Sequence, residues 1–401
     1  MTVTKLKYWT VGLLLCFLGA GSLPAANKQL SEQAQISILI GEPSNADLFS
    51  MFGHAALRIH DPGLGIDYVF NYGIPRSFTG GLTNYFKLIQ KNFSNELYAI
   101  PYTDVENEYL HNRRSLNELT LNYSQEEKES LWQSLLLIAQ SGGGRYSYYN
   151  MLNHNCTALP LSLLEKNTKG TIILSRQRTG KTYRNYVNQC LLEHPWSSFL
   201  LNTSLGWNTD RPIGYRQSFF LPSNFEEGLL TAMVADSLGN THPLITGSHY
   251  LVPPEKRLLV LPFFTPALCA WLLLAIVILL CGLEWKSKRL MRWIDAVLFA
   301  AAGVGGCYLF YVQFIIPQWY TFPNWWILWL HPLHLLGAAW SAAKRYDRYA
   351  AYYHIFNLSA LIVMLIGTCF IAQYYHPAFP PLMLALALRS GIRIRQSRQK
   401  K

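Results

Sequence analysis

Beyond Val260 the chain cannot be an ordinary soluble domain. Apolar residues run in segments near 260–283, 293–315, 325–343 and 355–375, each close to the roughly 20 residues that cross a bilayer core. A fifth segment, near 378–394, is shorter and ends in Arg389, Arg393 and Arg395. Lys286, Lys288, Arg289 and Arg292 mark one side of the predicted bundle, as do Lys344, Arg345, Arg348 and the basic tail 396–401. The loops 316–324 and 376–380 hold no Lys or Arg. Cytoplasmic loops collect Lys and Arg, so the basic loops are predicted inside and everything before the first span outside. The tail then lies inside only if the fifth segment also crosses. Trp325, Trp326 and Trp329 fit an aromatic belt at the outer face.

The net charge of +11 would otherwise suggest a polyanionic partner. Its distribution removes that reading. Residues 1–285 hold 21 basic and 21 acidic side chains, whereas residues 286–401 hold 13 basic residues against Asp295 and Asp347. The whole excess therefore belongs to the membrane part, where it reports topology, and no nucleic-acid partner is predicted.

Residues 1–26 read as an export signal or an N-terminal membrane anchor: Lys5 and Lys7, an apolar run from Tyr8 to Gly21, then Ser22-Leu23-Pro24-Ala25-Ala26. Leu23 and Pro24 make a poor cleavage site, so both forms stay open. Residues 27–258 then form the exported domain, followed by a transmembrane helical domain at 259–395. In the exported part, Ser37–Ile40, Gly53–His60 and Ile66–Tyr72 read as strands, the last two joined by the turn sequence Asp61-Pro62-Gly63-Leu64-Gly65. Ser124-Gln125-Glu126-Glu127 is a capping box opening a helix to Gln140, which Gly142-Gly143-Gly144 ends. A second helix follows Cys156. Short strands beside helices predict an α+β domain.

Seven cysteines are present, but only Cys156 and Cys190 fall in the exported part. Two in that length are no disulfide framework, although one bridge between them stays possible. Cys156 leads into a predicted helix, whose free N–H groups and dipole favour a thiolate. His54 opens a strand after Gly53 and could take the thiol proton, as in activated Cys–His pairs. If 61–65 is a hairpin turn, Asn71 or Tyr72 lies opposite His54. A side-chain amide can hold an imidazole by its other nitrogen, so Asn71 is the candidate orienting residue and Asp67 its rival. His60 shares the face of His54, and His154 can cap the helix entry. His54, His60, His154, Cys156 and Cys190 lack the paired short spacing of a zinc site, so no metal or cofactor is predicted. His331 and His334, inside the third predicted span, read first as neutral histidines bonded to a neighbouring helix.

Phe52-Gly53-His54-x-x-Leu57-Arg58, Asp67-x-x-Phe70-Asn71-Tyr72-Gly73 and Tyr148-x-Asn150 with Asn155-Cys156-Thr157 stand in one order. Arg178-Thr179-Gly180, Pro195-Trp196, Leu205-Gly206 and Phe219-Phe220-Leu221-Pro222 follow. This series resembles the N-terminal periplasmic domain of the Lnb family of lipoprotein N-acyltransferases. It departs after the cysteine, where Thr157-Ala158-Leu159 replaces a Thr followed by Arg. His before Cys is also the order of circularly permuted NlpC-like, papain-related domains. The resemblance implies a permuted α+β fold with about four to five membrane helices behind it. It further implies that Cys156 takes an acyl chain from a phospholipid as a thioester. The acceptor would be the N-terminal amine of a diacylated lipoprotein. A membrane-anchored cysteine hydrolase, cutting peptidoglycan peptides or lipid esters, and a non-enzymatic envelope binding protein are the competing readings.

Overall fold

The computed structural model describes residues 29–44, 50–73, 96–140, 150–174, 178–255, 259–287 and 289–399. The export segment 1–26, the glycine stop 142–144, Tyr148, Lys288 and the end of the tail after Gln399 lie outside the described residues.

The exported part is built on a six-stranded antiparallel sheet. Its strands are β1 (Gln35–Gly41), β2 (His54–Asp61), β3 (Ile66–Gly73), β4 (Glu96–Pro101), β5 (Leu116–Leu121) and β6 (Ile245–Val252). They lie in the order β6-β5-β1-β2-β3-β4, so the first two strands sit at the centre. Both faces are covered, which is why β1 reads as a nearly unbroken apolar run. On one face Ile36, Ile38, Ala55, Leu57, Phe70 and Leu119 are buried under two helices, α2 (Gln125–Gln140) and α3 (Ala158–Asn167). Trp132 of α2 meets Phe70 edge-on at 6.0 Å. On the other face Leu39, Ala56 and Val69 are buried under Tyr102, Val105 and Tyr109 of α1 (Tyr102–His111). The hairpin register pairs Asp61 with Ile66 and Leu57 with Phe70. Gly65 closes the turn at φ +66°, a conformation open chiefly to glycine. The predicted capping box is present: Glu127 accepts from the Ser124 N–H at 2.8 Å, and the Ser124 hydroxyl accepts from the Glu127 N–H at 3.3 Å.

This part also holds two small sheets and three short helices: α4 (Tyr183–Cys190), α5 (Pro195–Ser204) and α6 (Pro222–Leu230). Beyond it lie α7 (Pro266–Ser287), α8 (Arg292–Phe310, continued by a π-turn to Ile315), α9 (His334–Ala342), α10 (Asp347–Gly367) and α11 (Phe379–Gln399). The segments 266–287, 292–315 and 344–367 are long and apolar enough to cross a membrane. The predicted continuous span 325–343 is corrected. It is a short 3₁₀ turn at Trp325–Leu328, a break at His331-Pro332, and the nine-residue α9. Proline lacks the N–H that an unbroken helix needs there. His331 accordingly stands before the helix, not on its face, although its ring stacks on His334 at 4.0 Å. His334 Nδ1 lies 2.5 Å from the Tyr353 hydroxyl on α10, and its Nε2 lies 2.8 Å from the Trp329 carbonyl.

Polar contacts gather at the two ends of these helices. At one end Arg389 of α11 binds Glu284 of α7 and Asp295 of α8, each at 2.7 Å. Arg393 binds Asp295 at 3.2 Å and donates to the Ser341 carbonyl of α9, while Arg292 binds Asp347 of α10 at 2.6 Å. At the other end the membrane part grips the exported part. Asn324 Nδ2 donates to the carbonyls of Thr203, Ser204 and Leu205, which α5 leaves unpaired at its C-terminus. Gly206 N–H donates to the Tyr320 carbonyl at 2.8 Å. Arg184, 1% exposed, ties Asp210, Asn202 and the Leu205 and Gly206 carbonyls into the same joint.

Candidate active site

The site forms where the start of β2 meets the turn that leads into α3. Asn155, buried, holds that turn from both sides. Its Oδ1 accepts from the Thr157 N–H and hydroxyl, and its Nδ2 donates to the Phe220 and Met151 carbonyls at 2.6 and 3.1 Å. Such an Asx turn fixes the backbone on either side of Cys156. Cys156 is partly buried, two residues before the first residue of α3. The preceding loop is closed by paired backbone bonds between Asn150 and His154, whose side chain is exposed.

On the sheet side Gly53 takes φ +81°, and a Cβ there would stand 2.9 Å from the Gly41 carbonyl oxygen. Only glycine brings the chain this close to β1, and the next residue is His54. His54 Nε2 donates to Asn71 Oδ1 at 2.8 Å. The amide of Asn71 is oriented by a long contact, 3.5 Å, from its Nδ2 to the Val69 carbonyl. With Nε2 occupied, Nδ1 is left for the Cys156 sulfur, with which the imidazole shares a hydrogen bond. Burial by itself would raise the Cys156 pKa. The His54 hydrogen bond and charge, with the N–H groups of Ala55 and Cys156, outweigh it and hold the thiol below its ordinary value. Burial likewise opposes a charged His54, but the Cys156 bond and charge and then Asn71 carry its pKa above the ordinary histidine value. The pair therefore favours thiolate and imidazolium together.

The three residues singled out in the sequence, Cys156, His54 and Asn71, are thus together. The hairpin register sums to 127, which puts Gly73 level with His54. Asn71 is therefore the diagonal neighbour on the same face, within reach of a long side chain, rather than the residue directly opposite. The rival, Asp67, is elsewhere: it holds Arg58 by two 2.8 Å bonds and His60 at 3.3 Å. His60 lies six residues from His54 along β2, about 20 Å at the rise of a strand. Cys190 is a free thiol, like Cys156, and burial pushes its pKa up to about 11. Among the described residues no cluster of three His, Cys, Asp or Glu side chains could hold a metal ion.

Sequence reasoning passed over the walls. Phe52, Met151, Phe220 and Pro222 line a cleft of about 20 Å³ beside Gly53 and Cys156, room for about one water molecule. Tyr109 of α1 stands over Gly41, the register partner of His54, with its hydroxyl where a Gly41 side chain would be. Phe52 and the Phe219-Phe220-Leu221-Pro222 run stand in the motifs of the sequence without a chemistry of their own, and Met151 and Tyr109 carry no such signal.

An α+β domain presenting a paired thiol and imidazole, followed by helices able to cross a bilayer, defines a membrane protein that carries a folded Cys–His domain. Comparison of the sequence with protein-family models matches residues 28–189 to the Lnb N-terminal periplasmic domain and residues 259–401 to the Lnb transmembrane domain. The chain belongs to the Lnb family, whose role lies in lipoprotein maturation. No curated protein and no solved structure matches it.

Proposed function

We propose that this protein is a multi-pass inner-membrane lipoprotein N-acyltransferase with Cys156 as nucleophile, His54 as its acid–base partner and Asn71 holding His54. The observation that carries this reading is the Asn71–His54–Cys156 chain, with a thiol held below its ordinary pKa. The thiolate attacks the ester carbonyl carbon of a phospholipid, and the Cys156 N–H can steady the oxyanion that develops. The C–O bond then breaks, His54 gives its proton to the departing oxygen, and a lysophospholipid leaves a thioester on Cys156. The neutral N-terminal amine of a diacylated lipoprotein attacks that thioester. A C–N bond forms, the C–S bond breaks, and His54 takes the surplus amine proton, restoring the starting pair. Residues 27–258 would lie on the periplasmic side. The ion-pair end of the helix bundle, rich in Lys and Arg, would lie on the cytoplasmic side. Because all five helical segments contribute to that end, each would cross.

The test is mass spectrometry of the protein incubated with phospholipid vesicles. An acyl chain is expected on Cys156, absent in Cys156→Ala and formed about 10²–10⁴ times more slowly in His54→Ala. Discharge should need a diacylated lipopeptide with a free amine. Discharge to water at the same rate would make the protein a hydrolase, and N-acylation by Cys156→Ala would remove the mechanism.

A further inference from the structure

The exported part carries an apolar edge that its own fold does not use. Leu192, between α4 and α5, is 56% exposed, and Trp196, in the first turn of α5, is 48% exposed. Beside them run Val260, Leu261, Phe263 and Phe264, all more than 60% exposed. The two segments are joined. The Trp196 and Phe264 rings lie 5.7 Å apart, Trp196 Nε1 donates to the Phe264 carbonyl, and Val260 N–H donates to Glu193 at 2.9 Å. Large side chains left bare in one place mark a surface that something covers.

Two observations say what covers this one. The strip runs directly into α7 at Pro266, whose outward residues Trp271, Leu272 and Ile276 are exposed as bilayer-facing side chains are. The surface is therefore continuous with the face that meets acyl chains. Second, α5 is seated on the membrane domain: Phe199 packs on His376 and Phe379 at 5.2 and 6.0 Å. Asn324 holds the other end of the helix, so Trp196 has no freedom to lift away. An indole with an apolar ring and a satisfied N–H is suited to the boundary between headgroups and chains.

We infer that Leu192 and Trp196, with residues 260–264, form a wedge inserted into the periplasmic leaflet of the bilayer, and that its ligand is the acyl chains of that leaflet. The wedge lies one turn from the apolar cluster of Tyr183, Tyr186, Val187 and Leu191, against which Phe52 and Met151 of the Cys156 cleft also pack. It thus faces lipid on one side and backs onto a cluster shared with two walls of the Cys156 cleft on the other. The insertion itself does not depend on acyl transfer.

Photo-crosslinking of the full chain in phosphatidylethanolamine–phosphatidylglycerol vesicles tests it. Benzoylphenylalanine replacing Leu192 is expected to give a phospholipid adduct by mass spectrometry, as strong as the same probe at Phe263. At Leu238, which is 85% exposed in the turn between the short paired strands Met233–Ala235 and Thr241–Pro243, it is expected to give less than one tenth as much. These surface replacements disturb no packed side chain. No lipid adduct at Leu192, an adduct there to a second copy or to a lipoprotein instead of lipid, or equal labelling at Leu238 would each overturn the inference. None of these outcomes bears on whether Cys156 is acylated.

Discussion

His54 has two ring nitrogens, and the site uses both. Asn71 accepts from Nε2, which leaves Nδ1 for the bond that the imidazole shares with the Cys156 thiol. The charge balance that follows has a direct readout. Cys156 is a thiolate above its lowered pKa, so its alkylation by iodoacetamide should rise at a pH below that of an ordinary thiol. Cys190, with its pKa pushed up to about 11, should stay inert there. In His54→Ala burial acts on Cys156 without its largest opposition, and the inflection should move up. An unchanged pH profile for Cys156 labelling in His54→Ala would show that the imidazole does not hold the thiolate. Cys156, His54 and Asn71 were legible because short motifs, a strand period and a hairpin turn place them by local rules. The cleft walls were not. Phe220 and Pro222 come to the thiol across the fold, where the Asn155 amide ties the cysteine turn to a carbonyl 65 residues away, and no local pattern encodes such a contact.

At the level of elements, β1 and β2 are held closer than side chains allow. Gly53→Ala would put a methyl group 2.9 Å from the Gly41 carbonyl in a backbone conformation that costs an L-residue about 1–2 kcal/mol. The expected outcome is a lower melting temperature together with slower acylation of Cys156, because the strain falls on the peptide that carries His54. A variant that loses stability but keeps its acylation rate would show that His54 tolerates the shift. The helices show where sequence patterns stop. The spans around α7, α8 and α10 were readable as apolar runs of sufficient length. The segment 325–343 was equally apolar, yet hydropathy does not register that Pro332 interrupts its hydrogen-bond ladder. In α11 the apolar half was clear, but its basic half was read only as topology. Two of those arginines are in fact internal, with Arg389 fully buried against Glu284 and Asp295.

For the whole molecule, that ion cluster predicts a particular cost. Arg389→Met would leave Glu284 and Asp295 buried without their main partner, and breaking a buried pair from one side costs about 3–5 kcal/mol. A large fall in the detergent melting temperature is expected, while the pH profile of Cys156 labelling in the surviving folded fraction stays as in the parent. Reporter fusions at Glu255 and Gln399 should fall on opposite sides of the membrane, as five crossings require. The same side for both would mean that α11 does not cross.

The grip of Asn324 on the end of α5 also decides whether the protein can be taken apart. The Thr203 and Ser204 carbonyls and the Gly206 N–H take partners from beyond residue 300, and Tyr374 lies under the Arg184 guanidinium. A chain ending at Glu255 would lose those partners for the two carbonyls and the N–H, at about 1–3 kcal/mol for each buried group left unpaired, and would leave Phe199 uncovered. Such a fragment should aggregate or be degraded when exported alone, whereas co-expression of residues 259–401 as a second polypeptide should rescue it. The periplasmic half is in this sense an incomplete part rather than a portable module, and a family built this way can exchange its halves only in matched pairs.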